Sequence, residues 1–385
     1  MKLAESRPIK SYCLGIYDGP HATPQESSDG PIFLSIKNIT NDGRLDFSEI
    51  RHVSEEEFPK WTRRVTPQAD DVVFTYEATL HRYALIPEGF RGCLGRRIAL
   101  VRPDPNQVDS RYLLYFFLSD GWRRVIEGNV ISGATVDRIP LEKFPSFPAA
   151  LPILSVQRKV AGILYAYDDL IENNRRRMVL LEEAGRQLYQ EWFVRLRFPG
   201  HEHTRITHDV PEGWEVRKVS EAIKRIPAGK LYSQDTALPA GKVPILDQGK
   251  SGFIGFHDEE PSIAAGVHEP VIVFANHTCY QRIIFYPFST IQNVLPFVSS
   301  PAISRNIFWL HFATCGLVRT NAYKGHWPEF MAKEILVPTK KLTELFGYYV
   351  KENLTLAYIL ELQNQKLRAA RALLLPRLMS GEIAI

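Results

Sequence analysis

The sequence predicts an α+β protein in which two mixed α/β domains are separated by two long helices that pair as an antiparallel coiled coil. Three observations predict it. A heptad pattern runs from about Val156 to Phe193, a second runs from about Lys341 to Ser380, and an approximate tandem repeat relates the two halves of the chain. At 385 residues the chain is too long for one typical core and suits two or three domains.

The first helix carries Val160, Leu164, Tyr167, Ile171, Asn174, Met178, Leu181, Gly185, Leu188 and Trp192 at spacings that alternate four and three. That is the seam of a heptad helix. Between them lie Glu172, Arg175, Arg176, Arg177, Glu182, Glu183 and Arg186, as a solvated surface requires. Pro152 stands where a helix can begin, and Pro199-Gly200 ends the segment. At about 1.5 Å per residue such a helix is a rod of roughly 50 Å. The second helix repeats the seam as Phe346, Val350, Asn353, Ala357, Leu360, Asn364, Leu367, Arg371, Leu374 and Leu378. The same offset carries Pro152 onto Pro338 and Leu181 onto Leu367. Two such helices in one chain satisfy each other by pairing. The globular segment between them makes that pairing antiparallel and sets the two domains at opposite ends of the rod. Seam asparagines 174, 353 and 364 are expected to fix the register at some cost in stability. The boundaries that follow are 1–150 for the first domain, 151–198 for the first helix, 199–336 for a linker and the second domain, and 337–385 for the second helix.

The domains read as mixed α and β. In the first, strands are expected at Pro31–Ile36, Asp71–Tyr76, Tyr83–Ile86 and Arg97–Arg102, with a helix from Tyr112 to Leu118 that Trp122 to Ile126 continues. In the second, strands are expected at Val243–Leu246, Val271–Ala275 and Arg282–Tyr286, and Ile307–Thr314 takes the place of the short helix. Arg195 to Gly213, rich in His, Thr and Pro, reads as a linker.

Composition excludes several classes. With 45% hydrophobic and 23% charged residues, 24 Gly and 26 Pro, the chain is neither collagen-like nor wholly disordered. No apolar run approaches the roughly 18 residues of a membrane helix, and Met1 to Lys10 lacks a signal-peptide core, so a cytoplasmic location without membrane contact is expected. Cys13, Cys93, Cys279 and Cys315 include no C-x-x-C pair and suit a reducing compartment. A net charge of +4 permits nucleic-acid binding without demanding it.

Several stretches resemble the specificity subunit of type I restriction-modification systems, and together they span essentially the whole chain. Pro211-Glu-Gly-Trp-Glu-Val resembles that family's opening phrase for a target-recognition domain. Asp70-Asp-Val-Val-Phe-Thr-Tyr-Glu-Ala-Thr-Leu-His-Arg-Tyr-Ala-Leu-Ile-Pro resembles its central strand–loop–strand phrase. Leu151-Pro-Ile-Leu-Ser-Val-Gln-Arg-Lys-Val resembles the start of its first helix. Leu180-Leu-Glu-Glu-Ala and Leu375-Pro-Arg-Leu-Met-Ser-Gly-Glu-Ile resemble the two helix ends. The first domain lacks the Pro-Glu-Gly-Trp opening, Ser155 and Val156 replace an acidic pair before Gln157, and the second helix opens on the degenerate Val337-Pro-Thr-Lys-Lys-Leu-Thr-Glu. The resemblance implies a non-catalytic subunit whose two target-recognition domains read the halves of an asymmetric, bipartite site in double-stranded DNA. It also implies docking of two modification subunits that methylate adenine N6, joined by restriction subunits that translocate and cleave DNA. Adenosylmethionine, ATP and magnesium belong to those partners, and none of them to this chain.

Catalytic motifs were weighed against this. Val243-Pro-Ile-Leu-Asp-Gln-Gly-Lys-Ser ends like a phosphate-binding loop, but Pro244 stands where the first glycine is needed and has no N–H to offer. The chain has no Asn-Pro-Pro-aromatic or Asp-Pro-Pro-aromatic motif of an adenine methyltransferase. His201, His203 and His208 sit in a polar linker and read as solvated.

Binding chemistry is better represented. Base edges are read by paired donors and acceptors while Lys and Arg anchor phosphates. The first domain offers Lys37, Asn38, Arg63, Arg64, Arg96 and Arg97, and a central loop with Tyr76, Glu77, Thr79, His81 and Arg82. Asn129, Ser132 and Thr135 lie on a polar, Gly-rich loop. The second offers Gln248, Lys250, Asn276, His277, Thr278 and Arg282, and Asn321-Ala-Tyr323-Lys324-Gly-His. Trp61, Trp122 and Trp327 read as core anchors. The competing reading is a coiled-coil scaffold that holds two protein-binding domains apart.

Overall fold

The computed structural model describes residues 5–133, 136–249, 252–320, 324–383 and 385. The chain divides into two compact units, Met1–Glu172 with Gln365–Ile385, and Asn173–Asn364. The long helices run Leu154–Tyr189, closing in a π turn at Gln190–Val194, and Lys340–Ser380. Each unit takes part of both.

The first unit has two sheets. One orders β2 (Cys13–Asp18), β8 (Ile98–Pro103), β5 (Val72–Thr75) and β6 (Tyr83–Leu85), all antiparallel. The other orders β4 (Arg51–His52), β3 (Ser27–Leu34) and β7 (Gly92–Leu94), with β3 and β7 parallel. A two-stranded ribbon of β1 (Arg7–Pro8) and β9 (Pro148–Ala149) closes the domain at its ends. β5 is buried throughout because it faces two cores. Val72 and Phe74 join the cluster under the helices, while Val73 joins the cluster between the sheets.

The second unit repeats the plan. β13 (Ile223–Arg225), β20 (Val294–Ser299), β17 (Val271–Ala275) and β18 (Gln281–Ile284) follow the same order and the same antiparallel sense. β15 (Val243–Leu246) pairs antiparallel with β16 (Phe253–His257) and parallel with β19 (Ser289–Ile291). β14 (Leu231–Tyr232) adds one strand beyond β19. The closing ribbon is β12 (Glu215–Lys218) against β21 (Glu334–Val337). The expected tandem repeat therefore holds strand by strand in the first sheet, and in the second with β14 added.

Two expectations change. The helix after β8 is two helices, Ser110–Phe117 and Asp120–Glu127, because the Ser119 hydroxyl accepts the Trp122 N–H at 3.3 Å and caps a new start. The expected linker contains a hairpin, Ile206–Thr207 with Val210–Pro211 (β10 and β11), and buries Phe198 against Trp214.

The seam of the first helix is the one its sequence predicts: Val160, Leu164, Ile171, Asn174 and Trp192 are buried. Within Asn173–Asn364 the helices pair antiparallel. A Cβ on Gly185 would lie 3.2 Å from Val350 and 2.8 Å from the Phe312 ring, and the Asn174 amide donates to Asn364 at 3.0 Å. Glycine at a seam position is thereby explained by close approach. In the second helix Leu354 is buried at 5% where Asn353 was expected in the seam, and Asn353 is only half-buried. Within the first unit Leu378 shares the core of Val160 and Leu164, and Arg371 pairs with Asp168, which also accepts the Tyr115 hydroxyl at 2.6 Å.

The repeat offset also relates two buried polar residues with one task. Gln157, 1% exposed, accepts the Asp109 N–H at 2.9 Å, and Thr343, 0% exposed, accepts the Asn306 N–H at 3.4 Å. Asp109 and Asn306 are the N-caps of the equivalent short helices Ser110–Phe117 and Ile307–Thr314. A buried glutamine or threonine is retained because it satisfies a main-chain group that the cap leaves unpaired.

Candidate nucleic-acid interface

In each unit three loops meet at one end of the first sheet. In the first unit they are the loop leaving β3, the β5–β6 loop and the Gly-rich loop before Ile139. The Ala78 N–H donates to the Asp137 carbonyl at 3.1 Å, the Ile139 N–H to the Tyr76 carbonyl at 2.7 Å, and Glu77 bridges Arg138. Ala78 and His81 take positive φ, so the β5–β6 loop is a fixed turn and not an open strand end. In the second unit the loop leaving β15, the β17–β18 loop and the segment before Trp327 meet the same way. The Asn276 carboxamide oxygen accepts the Trp327 N–H at 2.8 Å, and the Asn276 carbonyl accepts the His326 N–H at 2.9 Å. Gly325 permits this approach, since a Cβ there would stand 2.9 Å from the Asn276 amide.

The candidate residues fall into two groups. Lys37, Arg63, Arg96 and Lys324 are exposed on these loops and their flanks, and Thr79 is half-buried. Others hold the loops together. Asn38 is buried: its oxygen accepts from the Ser35 main chain at 2.9 Å and hydroxyl at 2.8 Å, and its amide donates to the Asp46 and Glu49 carbonyls at 2.9 Å. Arg82 donates to the carbonyls of Ile36 at 3.2 Å and Ile39 at 3.3 Å. Arg282 donates to those of Gly252 at 2.7 Å and Asp247 at 2.9 Å. The Gln248 oxygen accepts the His277 N–H at 3.0 Å, and the Thr278 hydroxyl donates to the Gln248 carbonyl at 2.5 Å. His277 lies 3.0 Å from the Lys324 carbonyl. These residues, expected at the ligand, are found shaping the surface that carries the exposed ones. Lys250 and Tyr323, with Thr135 and Asn321, lie outside the described residues.

Charge is partly neutralised within the site. Arg64 pairs with Asp18 at 2.5 Å, and the Arg97 Nε lies 3.0 Å from Glu77. Burial, then the charges of Asp18 and Glu77, push the Tyr76 phenol up to about 12, so it stays protonated. Burial, then the Arg123 charge, holds the His81 imidazole below its ordinary value, against Glu127 at 3.8 Å. A neutral His81 offers one donor and one acceptor instead of a positive charge. Among the described residues no group of three or more His, Cys, Asp or Glu is placed to hold a metal. The histidines at 201, 203 and 208 bear no such cluster. Trp61 and Trp122 are core anchors as expected, and Trp327 packs on Phe330 at 5.3 Å between ring centres. No described helix is long and apolar enough to cross a membrane.

The sequence reasoning missed Asp137 and Arg138, whose pairing with the β5–β6 loop joins two segments that are distant along the chain.

Comparison with known proteins bears on this arrangement. Residues 26–183 match the family model described as type I restriction modification DNA specificity domain. The specificity subunit of the type I restriction enzyme MjaIX from Methanocaldococcus jannaschii is 23% identical over 99% of this chain and 90% of its own length. The putative MjaX specificity subunit of that organism is 25% identical over 65% of this chain and 60% of its own. The crystal structure of the type I S subunit from M. genitalium has the same fold. Its TM-score is 0.55 at 14% identity, over 98% of this chain and 96% of that one. Over residues 26–183, then, the chain is similar to the type I restriction modification DNA specificity domain, and over its whole length it shares the fold of an S subunit.

Proposed function

We propose that this chain is the DNA-recognition subunit of a type I restriction-modification complex. Each unit reads one half of an asymmetric, bipartite site, and the chain itself performs no catalysis. The observation that carries this reading is the duplicated three-loop surface. Two copies of one sheet order present exposed basic and hydroxyl side chains on different sequences, as two different half-sites require. Modification subunits bring adenosylmethionine and methylate adenine N6. The target base is flipped into them and not into this chain. Restriction subunits supply ATP- and magnesium-dependent translocation and cleavage.

The test is single-molecule sequencing of DNA from cells that express this chain with its neighbouring modification gene. N6-methyladenine is expected at a split, asymmetric motif that disappears when the chain is deleted. Replacing residues 1–150 with another such domain should alter one half of the motif only. A verified complex that leaves no methylated motif would instead favour a scaffold that holds protein-binding domains apart.

A further inference from the structure

Arg82 and Arg282 stand beside the central loops of their units, where a base-reading or phosphate-binding arginine is expected. Both point elsewhere. Arg82 joins the carbonyls of Ile36 and Ile39, the two ends of the turn that leaves β3. Arg282 joins the carbonyls of Asp247 and Gly252, the two ends of the loop that leaves β15. β3 and β15 are counterparts, since each is parallel to the strand that precedes the long return strand, β7 before β8 and β19 before β20.

The two arginines are not copies of one ancestral position. Tyr83 pairs with Phe74 and Gln281 with Phe274, so Arg82 lies just outside the β5–β6 ladder, while Arg282 lies one pair inside β17–β18. Side chains alternate along a strand, so this displacement of two residues keeps both on the face towards the second sheet. An arginine that joins the two ends of the loop has therefore been built twice from different positions. A fold that merely tolerated an inward arginine would not require that.

We propose that Arg82 and Arg282 are positioning residues for recognition, each closing the reading loop of its own unit so that the exposed groups on it are presented in one arrangement. The proposal rests on the DNA-recognition reading. In the first unit the closed turn carries Lys37 outward and Asn38 inward. In the second it carries Gln248, whose side chain and carbonyl in turn hold His277 and Thr278 of the β17–β18 loop. At Arg282 two guanidinium nitrogens each take one carbonyl, a spread that a lysine ammonium, a point donor, cannot match, whereas at Arg82 one terminal nitrogen serves both carbonyls. Neither arginine then has to touch DNA to set which bases are accepted.

The experiment uses the complete chain in complex with its modification subunits and compares Arg82→Gln, Arg282→Gln and Arg282→Lys. Methylated motifs are read by single-molecule sequencing. Arg82→Gln should raise methylation of sites mismatched in one half by about tenfold relative to cognate sites, the scale of one lost base discrimination. Arg282→Gln should do so in the other half, and Arg282→Lys should not restore it. The half that stays strict reports that the chain has folded and assembled. An unchanged motif, or equal loss in both halves, would overturn the proposal.

A second measurement stands apart from function. Hydrogen exchange should quicken at Ser35 and Asn38 in Arg82→Gln, and at Asp247 and His277 in Arg282→Gln. If exchange there stays as in the parent chain, the clamps do not hold the loops. If the parent complex methylates no split motif while these amides do quicken, the recognition reading fails and the clamps stand.

Discussion

The imidazole of His311 packs beside Phe312, with the Gln281 amide 3.3 Å from Nδ1. Burial first, and then the Arg186 guanidinium, lower its pKa to about 4. A histidine in the unfolded chain titrates near 6.5. Between about pH 6.5 and pH 4 the unfolded state therefore takes up a proton that the folded state refuses. The contribution is complete above 6.5 and is lost as the pH falls towards 4, with a limiting slope of about 1.4 kcal/mol per pH unit and a total of roughly 3–4 kcal/mol. His311→Gln, neutral at every pH, should flatten that part of the profile in urea unfolding at pH 7 and pH 4.5. An identical pH dependence in the two proteins would show that His311 is not its source.

The helices carry their specificity in polar pairs at the seam. Asp168 and Arg371 are 20% and 14% exposed, and Asp168 also receives the Tyr115 hydroxyl. Arg371→Met leaves the carboxylate without its cation and should cost about 2–4 kcal/mol. Asp168→Asn combined with Arg371→Met keeps an acceptor for Tyr115 and should recover most of that loss. Equal destabilisation in the single and double variants, measured by thermal unfolding, would mean that the pair is not coupled. Elements of this kind were legible because a heptad writes its own period. Val160, Leu164 and Ile171 are buried where spacing put them, and the offset that carries Pro152 onto Pro338 also relates the buried Gln157 and Thr343. The exchange of Leu354 for Asn353 in the seam was not legible, since both lie within one residue of the ideal spacing. Neither were the ribbons β1–β9 and β12–β21, because strands of two to four residues have no period to detect. At the candidate interface, composition pointed to these loops but not to the task of each residue. Arg82, Arg282 and Asn38 are fixed by main-chain carbonyls, and every residue has one, so sequence does not distinguish an inward arginine from an outward one.

Across the whole molecule the net charge is only +4, so attraction to DNA depends on where cations stand more than on how many there are. Lys37 and Lys324 are exposed on the two candidate surfaces. For the assembled complex on its cognate duplex, each change to alanine should weaken binding evenly across sequences. Each should also reduce the slope of log affinity against log salt by about 1, the share of one phosphate contact. A slope unchanged in both variants would remove these lysines from the interface.

One unit is a single stretch of chain, Asn173–Asn364, whereas the other is assembled from Met1–Glu172 and Gln365–Ile385. On the ribosome the first unit begins first and is completed last. Its cluster around Val160 and Leu164 lacks Leu374, Leu378 and Met379 until the whole of the second unit has been translated. The nascent chain must therefore carry an open apolar face through nearly two hundred residues of synthesis. That interval gives chaperones a defined window on this protein, and makes a ribosome stalled before Gln365 a source of half-closed chains.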